Sequence, residues 1–208
     1  MKFTEYISRV NPGENVLIEH TSLSDYPLLF YLIGETYGWK RIILVDIIDS
    51  SLPLLRWMHL SNMHIPEDIT RFKVGGISDW GNVVLEVNPH NDPGIFISRF
   101  SRALRENYLE SYSRGVEAIT VVMNPERLIP IHNNRPSFIM TLAALPTVFL
   151  GDIKRRAFYF VNIDMTHKRY RALLEEAFTR ILKIHDDGRI TVLKSPSLNE
   201  EGTELDPL

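Results

Sequence analysis

Cysteine is absent from the 208 residues, which excludes disulfides, thiolate zinc sites, iron–sulfur clusters and a cysteine nucleophile together. Glutamine is absent too, and arginine (16) outnumbers lysine (7), a leaning toward a thermophilic source that 12 asparagines temper. No apolar run is long enough for a membrane. The longest stretches, PLLFYLI and FIMTLAALPTVFLG, fall short of the roughly 18–20 residues of a span, and Lys154, Arg155 and Arg156 close off the second. The first fifteen residues, MKFTEYISRVNPGEN, carry no apolar core of a signal peptide, so a cytoplasmic location without a membrane partner is expected. An excess of one charge is missing as well. A formal charge of −3 and a pI near 6.2 exclude a broadly basic nucleic-acid binder, though not a local basic patch. What is present is an ordinary globular composition, 44% hydrophobic and 24% charged. A chain of this length buries about two-thirds of its unfolded surface and needs no covalent or metal staple.

Strand and helix signatures alternate along the chain. Val16–His20 is a short β-branched run, and the turn-rich TSLSDY separates it from a helical pattern opened by Pro27. Arg41–Asp49 is nearly continuously apolar, as expected of a strand covered on both faces. Ser51–Met63 reads as a helix with a serine cap and proline in its first turn. Strands are predicted at Ile69–Val74 and Asn82–Val87, around the Gly75–Gly76 turn. Phe96, Phe100, Leu104 and Tyr108 recur at four-residue spacing along one helix face. Ala118–Asn124 and Arg156–Ile163 read as further strands, with helices at Pro136–Leu145 and from Thr166 to Ala177. Near the end, Asp187–Gly188 between two alternating runs predicts a type I′ hairpin. Residues 196–208 are polar and acidic and read as a frayed, flexible tail. The pattern predicts one α/β domain over residues 1–195, with a mostly parallel sheet and a C-terminal antiparallel hairpin.

The loop after the first strand is where chemistry is expected. NPGENVLIEH, then a loop, a helix and a second buried strand, resembles the opening of the RecA-like ATPases, particularly their KaiC- and RadA-like branch. The resemblance spans Asn11 to about Ser195 and implies a three-layer sandwich of the P-loop NTPase type. A phosphate loop reads G-x-x-x-x-G-K-[ST]: glycines let backbone N–H groups wrap the phosphates, lysine neutralises them and the hydroxyl holds magnesium. Laid on without gaps, those positions run from His20 to Pro27. His20 and Asp25 replace the glycines, Tyr26 the lysine and Pro27 the hydroxyl residue. Tyr26 supplies no cation, and Pro27 has neither hydroxyl nor N–H. A carboxylate such as Asp25 about 4 Å from a phosphate, at an effective dielectric of 20, costs on the order of 4 kcal/mol. The aspartate that orients magnesium in that family falls on Asn124, which carries no charge. Asp49 stands where the family has its catalytic carboxylate, with Asp46 behind it in the strand, and is left as a vestige. ATP binding in the usual mode is therefore not expected, and no cofactor is assigned. The sequence also resembles a small uncharacterised family of hyperthermophilic archaeal proteins with the same altered loop.

Other candidates are thin. His20, His59, His64, His90, His132, His167 and His185 are scattered, and none forms a zinc spacing, so no metal site is expected. PHNDP (Pro89–Pro93) follows a strand and reads as a capped turn. Ser22 and Ser24 lie near His20 and Asp25 but lack the nucleophile elbow G-x-S-x-G. No catalytic residue is assigned. Two basic clusters, Lys154–Arg155–Arg156 and Lys168–Arg169–Arg171, follow or precede inner strands, where RecA-like recombinases place DNA-contacting loops, and Tyr170 is a candidate for base stacking. The leading expectation is a non-catalytic RecA-like protein acting through protein or peptide contacts, as a homo-oligomer or regulatory partner. Apolar segments around Leu54–Met58 and Phe138–Leu142 are candidates for its groove. A nucleic-acid accessory protein using the basic clusters is one alternative. A binder of another nucleotide or small ligand over His20, Asp25 and Tyr26 is the other.

Overall fold

A computed structural model describes residues 1–208. A short helix α1 (Phe3–Ser8) precedes β1 (Asn15–His20), and α2 (Tyr26–Tyr37) follows it. β2 (Ile42–Ile47) leads into α3 (Ser51–Leu60), then β3 (Thr70–Val74) and β4 (Asn82–Val87). The long α4 (Pro93–Ser113) returns to β5 (Ala118–Met123), which is followed by the single-turn α5 (Leu128–Ile131) and α6 (Pro136–Ala144). β6 (Arg155–Asn162), α7 (Lys168–Ala177), β7 (Arg180–Ile184), β8 (Ile190–Lys194) and β9 (Glu204–Leu205) complete the chain.

The nine strands form one sheet in the order β4-β3-β2-β5-β6-β1-β7-β8-β9. All are parallel from β4 to β7, and β8 and β9 add on antiparallel, as the alternation of elements predicts. The inner strands are buried along their whole length because side chains alternate between two cores. Val16 and Ile18 of β1, with Ile42 and Leu44 of β2, pack against α1, α2 and α3. Leu17, Ile43, Val45 and Ile47 point the other way, against α4, α5, α6 and α7. Parallel pairing in register sets the carboxyl ends of β1 and β6 side by side, His20 opposite Asn162, with β5 beside β6. That edge is where open α/β sheets place their sites.

Two details depart from the sequence expectations. The hairpin turn has three residues rather than two: His185 and Arg189 pair, the Gly188 N–H bonds the His185 carbonyl, and only Gly188 is left-handed at φ 84°. A type I′ turn needs positive φ at both central residues, whereas a type I turn closed by a left-handed glycine needs only one. The acidic end is ordered, not frayed. Leu205 is buried in the first core, β9 pairs with β8, and Lys2 bridges to Asp206. Its charges have partners: Glu200 binds the buried Arg180 at 2.8 Å, and Glu204 binds Arg189 at 2.9 Å. Composition cannot reveal such pairing, because both arginines lie in the preceding hairpin. No helix is long and apolar enough to cross a membrane.

Candidate functional site

The altered loop, residues 20–27, leaves the carboxyl end of β1 and enters α2, as a phosphate loop would. His20 closes the strand, fully buried, and its ring stacks on Tyr26 with centroids 4.1 Å apart. Its Nε2 lies 2.9 Å from the Asn124 side-chain oxygen and its Nδ1 2.9 Å from the Thr21 carbonyl. Burial strips solvent from the charged ring and lowers its pKa, against the hydrogen bonds to Thr21 and Asn124 that favour the proton. A neutral imidazole has one N–H to share between the Thr21 carbonyl and the Asn124 side-chain oxygen that its two nitrogens face. Asn124 itself sits in the left-handed region at φ 52°, where an asparagine is tolerated. The structure thus brings together His20, Tyr26 and Asn124, the positions that the resemblance aligns with a phosphate-loop glycine, its lysine and the magnesium aspartate. They are joined as a packed, hydrogen-bonded unit.

The backbone donors of the loop are engaged by the chain's own oxygens. Thr21 N–H bonds the Ser24 hydroxyl at 3.2 Å, and Leu23 and Ser24 N–H bond the Thr21 hydroxyl at 3.2 Å each. Ser22 N–H donates to the Asp164 carboxylate at 3.3 Å. The Thr21 hydroxyl donates in turn to Asp186 at 2.5 Å, and Asn162 reaches the Ser22 hydroxyl at 2.9 Å. An anion at this loop would have to displace these bonds and face Asp25, Asp164 and Asp186 with no cation of the loop to offset them. The residues present do not fit a magnesium nucleotide. They also leave His20 with no free ring nitrogen for another ligand, so the expectation of His20 as a ligand contact is revised. Asp25, exposed beside the Gly188 turn, is not part of the His20 cluster.

Asp49 is held in place by structural bonds. It adopts φ 52° after β2 and accepts N–H bonds from Ile77 at 2.7 Å and Ser78 at 3.2 Å, together with the Ser78 hydroxyl. Arg71 reaches it at 2.9 Å. Burial pushes the Asp49 carboxyl up, but these donors outweigh burial and hold its pKa below the usual carboxylate range. Arg71, wholly buried in β3, also grips Asp46 through Nε at 3.0 Å and Nη2 at 2.7 Å, and lies over the Trp80 ring. Ser50 and Ser51 complete the Asp46 shell. A Cβ at Gly76 would fall 2.4 Å from the Asp49 carboxyl carbon, so only glycine admits this close approach. Asp49 and Asp46 are therefore two acids clamped by one arginine.

The two basic clusters lie at opposite ends of β6. The strand spans eight residues at roughly 3.3 Å each, so its two ends are on the order of 25 Å apart and the clusters do not form one surface. Arg155 is buried and bonds Asn15 and the Glu14 carbonyl. Arg156 pairs with Glu117, and Lys154 with Asp152 at 3.1 Å. Arg171 forks onto the buried Glu19 at 2.8 and 2.9 Å and onto Glu175. Tyr170 is buried in the core beside α5 and α6, not free to stack on a base. Lys168 and Arg169 remain exposed and outside every ion pair. No three acids or histidines gather in a metal-binding cluster.

Sequence reasoning missed Thr21, Asn162, Asp164 and Asp186, which fill the loop, and Arg71, which clamps the acids. A charged residue inside a strand buried on both faces, as in TRFKV, is the signal that marks Arg71. The loop residues carry no such signal, because they lie up to 165 positions apart.

With this geometry established, comparisons with known proteins place it. A family profile described as "Pyrococcus protein of unknown function, DUF257" matches residues 5–206. No curated protein matches the sequence. A Pyrococcus horikoshii protein solved in a structural study superposes with a TM-score of 0.79 at 25% identity, over 100% of this chain and 99% of its own. A KaiC-like protein of the same archaeon gives 0.55 at 13% identity, covering 93% of this chain and 84% of its own. An uncharacterised P. horikoshii protein, solved in complex with an unknown peptide, gives 0.59 at 13% identity, over 92% and 88%. The fold is that of the RecA-like ATPases, with the mostly parallel sheet and closing antiparallel hairpin expected from the sequence.

Proposed function

The chain belongs to this Pyrococcus family, and within it we propose that the protein is a non-catalytic RecA-like protein that has lost ATP binding and acts by engaging a protein or peptide partner, other copies of itself included. The observation that carries the reading is the occupied loop: four successive N–H groups, Thr21 to Ser24, bond the chain's own oxygens, and no lysine or magnesium aspartate accompanies them. A catalytic carboxylate must be free to activate water, and Asp49 is instead bound by Arg71, Ile77 and Ser78. With nucleotide chemistry removed, the retained fold offers contact surfaces. The peptide bound to one structural neighbour adds support of the same kind, at the level of a shared fold.

The test uses the full chain. Incubation with ATP and magnesium is expected to give no phosphate release above buffer, while an array of random short peptides retains the labelled protein at defined sequences. Nucleotide turnover, or an array with no reproducible binder, contradicts the reading.

A further inference from the structure

The groove between α6 and the start of α7 has a chemistry of its own. Ile129, Pro136, Ile139, Met140 and Leu173 line it, and His167 and Arg169 stand at its rim. Its free volume is about 200 Å³. Sites for drug-sized ligands run to roughly 300–1,000 Å³, so this one suits a bulky side chain better than a nucleotide. Met140 is 58% exposed although it sits among apolar neighbours, leaving a flexible thioether on an open apolar floor.

Exposed cations flank this apolar floor. Lys168 and Arg169 follow one another on the first turn of α7, exposed and unpaired, and the exposed Arg135 directly precedes α6. Arg71, Arg156, Arg171, Arg180 and Arg189 hold carboxylates, whereas these three cations hold none, as do the exposed Arg99, Arg102 and Arg105 on α4, which flank no apolar floor of this kind. Of the acids near in sequence, Glu175 pairs with Arg171, and Glu176 is exposed at the far end of α7. Asp164 binds the Ser22 N–H, and Glu126 is sealed beneath Asn162. An uncompensated cationic rim on a protein of net charge −3 is complementary to an acidic segment. The groove also opens at the carboxyl edge of β5 and β6, the end of the sheet where this fold class places ligands.

We propose that this groove captures an acidic peptide segment of another protein, seating one bulky apolar side chain on Ile139, Met140 and Leu173 while carboxylates meet Lys168 and Arg169. The proposal rests on the peptide-binding reading and names its site and partner chemistry. Anchors of this kind, one apolar residue in a pocket with charges at its rim, carry most of the energy of small interfaces.

The six methionines allow a direct test by 13C-methyl labelling of the full chain. Two hexapeptide pools serve as probes, one mixing Leu, Ile, Phe and Met with Asp and Glu, the other with Lys and Arg in place of the acids. The acidic pool is expected to shift the Met140 methyl signal and to leave Met58 and Met123, buried in the opposite core, unmoved. The Lys168→Glu/Arg169→Glu variant is expected to weaken the acidic pool at least tenfold and to gain the basic one. Both positions are exposed, so its fold is expected to be retained. Met140→Leu, which keeps the floor apolar, is expected to remove the shifted signal and so assign it to this methyl. A Met140 shift produced equally by both pools, or one that survives the charge reversal, overturns the proposal. So does a single-stranded oligonucleotide that shifts Met140 where the acidic pool does not. Peptide-induced shifts confined to other methyls refute this groove and leave the peptide-binding reading intact. Silence from both pools removes both.

Discussion

Replacing Arg71 by leucine removes the one cation that serves two acids. Its guanidinium donates to Asp46 at 3.0 and 2.7 Å, to Asp49 at 2.9 Å, to the Ser78 and Trp80 carbonyls at 3.0 Å each and to the Ser78 hydroxyl at 2.9 Å. Arg71 and Asp46 side chains have no solvent exposure, so the carboxylate left behind has no water to replace its partner. Breaking a buried pair by removing one member costs about 3–5 kcal/mol. For a chain of this size each kcal/mol moves Tm by roughly 2–4 °C, so Arg71→Leu is expected to lower Tm by about 6–20 °C. Urea unfolding at pH 7, followed by circular dichroism, measures the loss. Arg71→Lys is expected to rescue only part of it, because an ammonium cannot fork onto Asp46 while holding Asp49 and two carbonyls. The double variant Arg71→Leu/Asp46→Leu removes both buried charges and is expected to be more stable than Arg71→Leu alone. A loss below about 1 kcal/mol in Arg71→Leu, or a double variant worse than the sum of the singles, refutes the claim that these acids are structural.

Two further predictions follow from buried acids and the ordered end. Burial pushes Glu126 up to about 8, against N–H bonds from its own backbone and from Asn162. The folded state therefore holds a proton that the unfolded chain has released between pH 4.5 and 8, so stability falls as pH rises through that window. At about 1.4 kcal/mol per pH unit the ceiling is on the order of 5 kcal/mol; Glu126→Gln is expected to flatten the decline, and urea midpoints at pH 5 and pH 8 check it. Deleting residues 196–208 exposes the site of Leu205 and strips Glu200 from Arg180, an expected loss of about 2–4 kcal/mol in thermal unfolding. A frayed tail would change stability by less than about 0.5 kcal/mol.

Much of the fold was legible because its strands are read from both faces. Ile42–Ile47 and Ala118–Met123 are uniformly apolar or nearly so, and a sheet buried by helices on both sides requires that. Helix α1 was not legible, since six residues give one apolar trio, Phe3, Tyr6 and Ile7, too short to show a period. The tail misled because its acids carry no mark of the arginines they meet. At the site, the departures from the phosphate-loop pattern at Asp25, Tyr26, Pro27 and Asn124 were visible as replaced letters. What filled the gap was not, because Asp164 and Asp186 arrive from loops after β6 and β7. Tyr170 as a stacking platform was a misreading with a signal against it: Leu174 follows at helical spacing, and both face the core. Of the basic clusters, Arg155, Arg156 and Arg171 are engaged by Asn15, Glu117 and Glu19, partners far away in sequence, while Lys168 and Arg169 stay exposed.

Isothermal titration of the full chain with ATP and magnesium tests the central claim most directly. The self-satisfied loop predicts no saturable heat up to millimolar nucleotide. A saturable isotherm in the micromolar range, lost in a Thr21→Ala/Asn124→Ala variant, would contradict it.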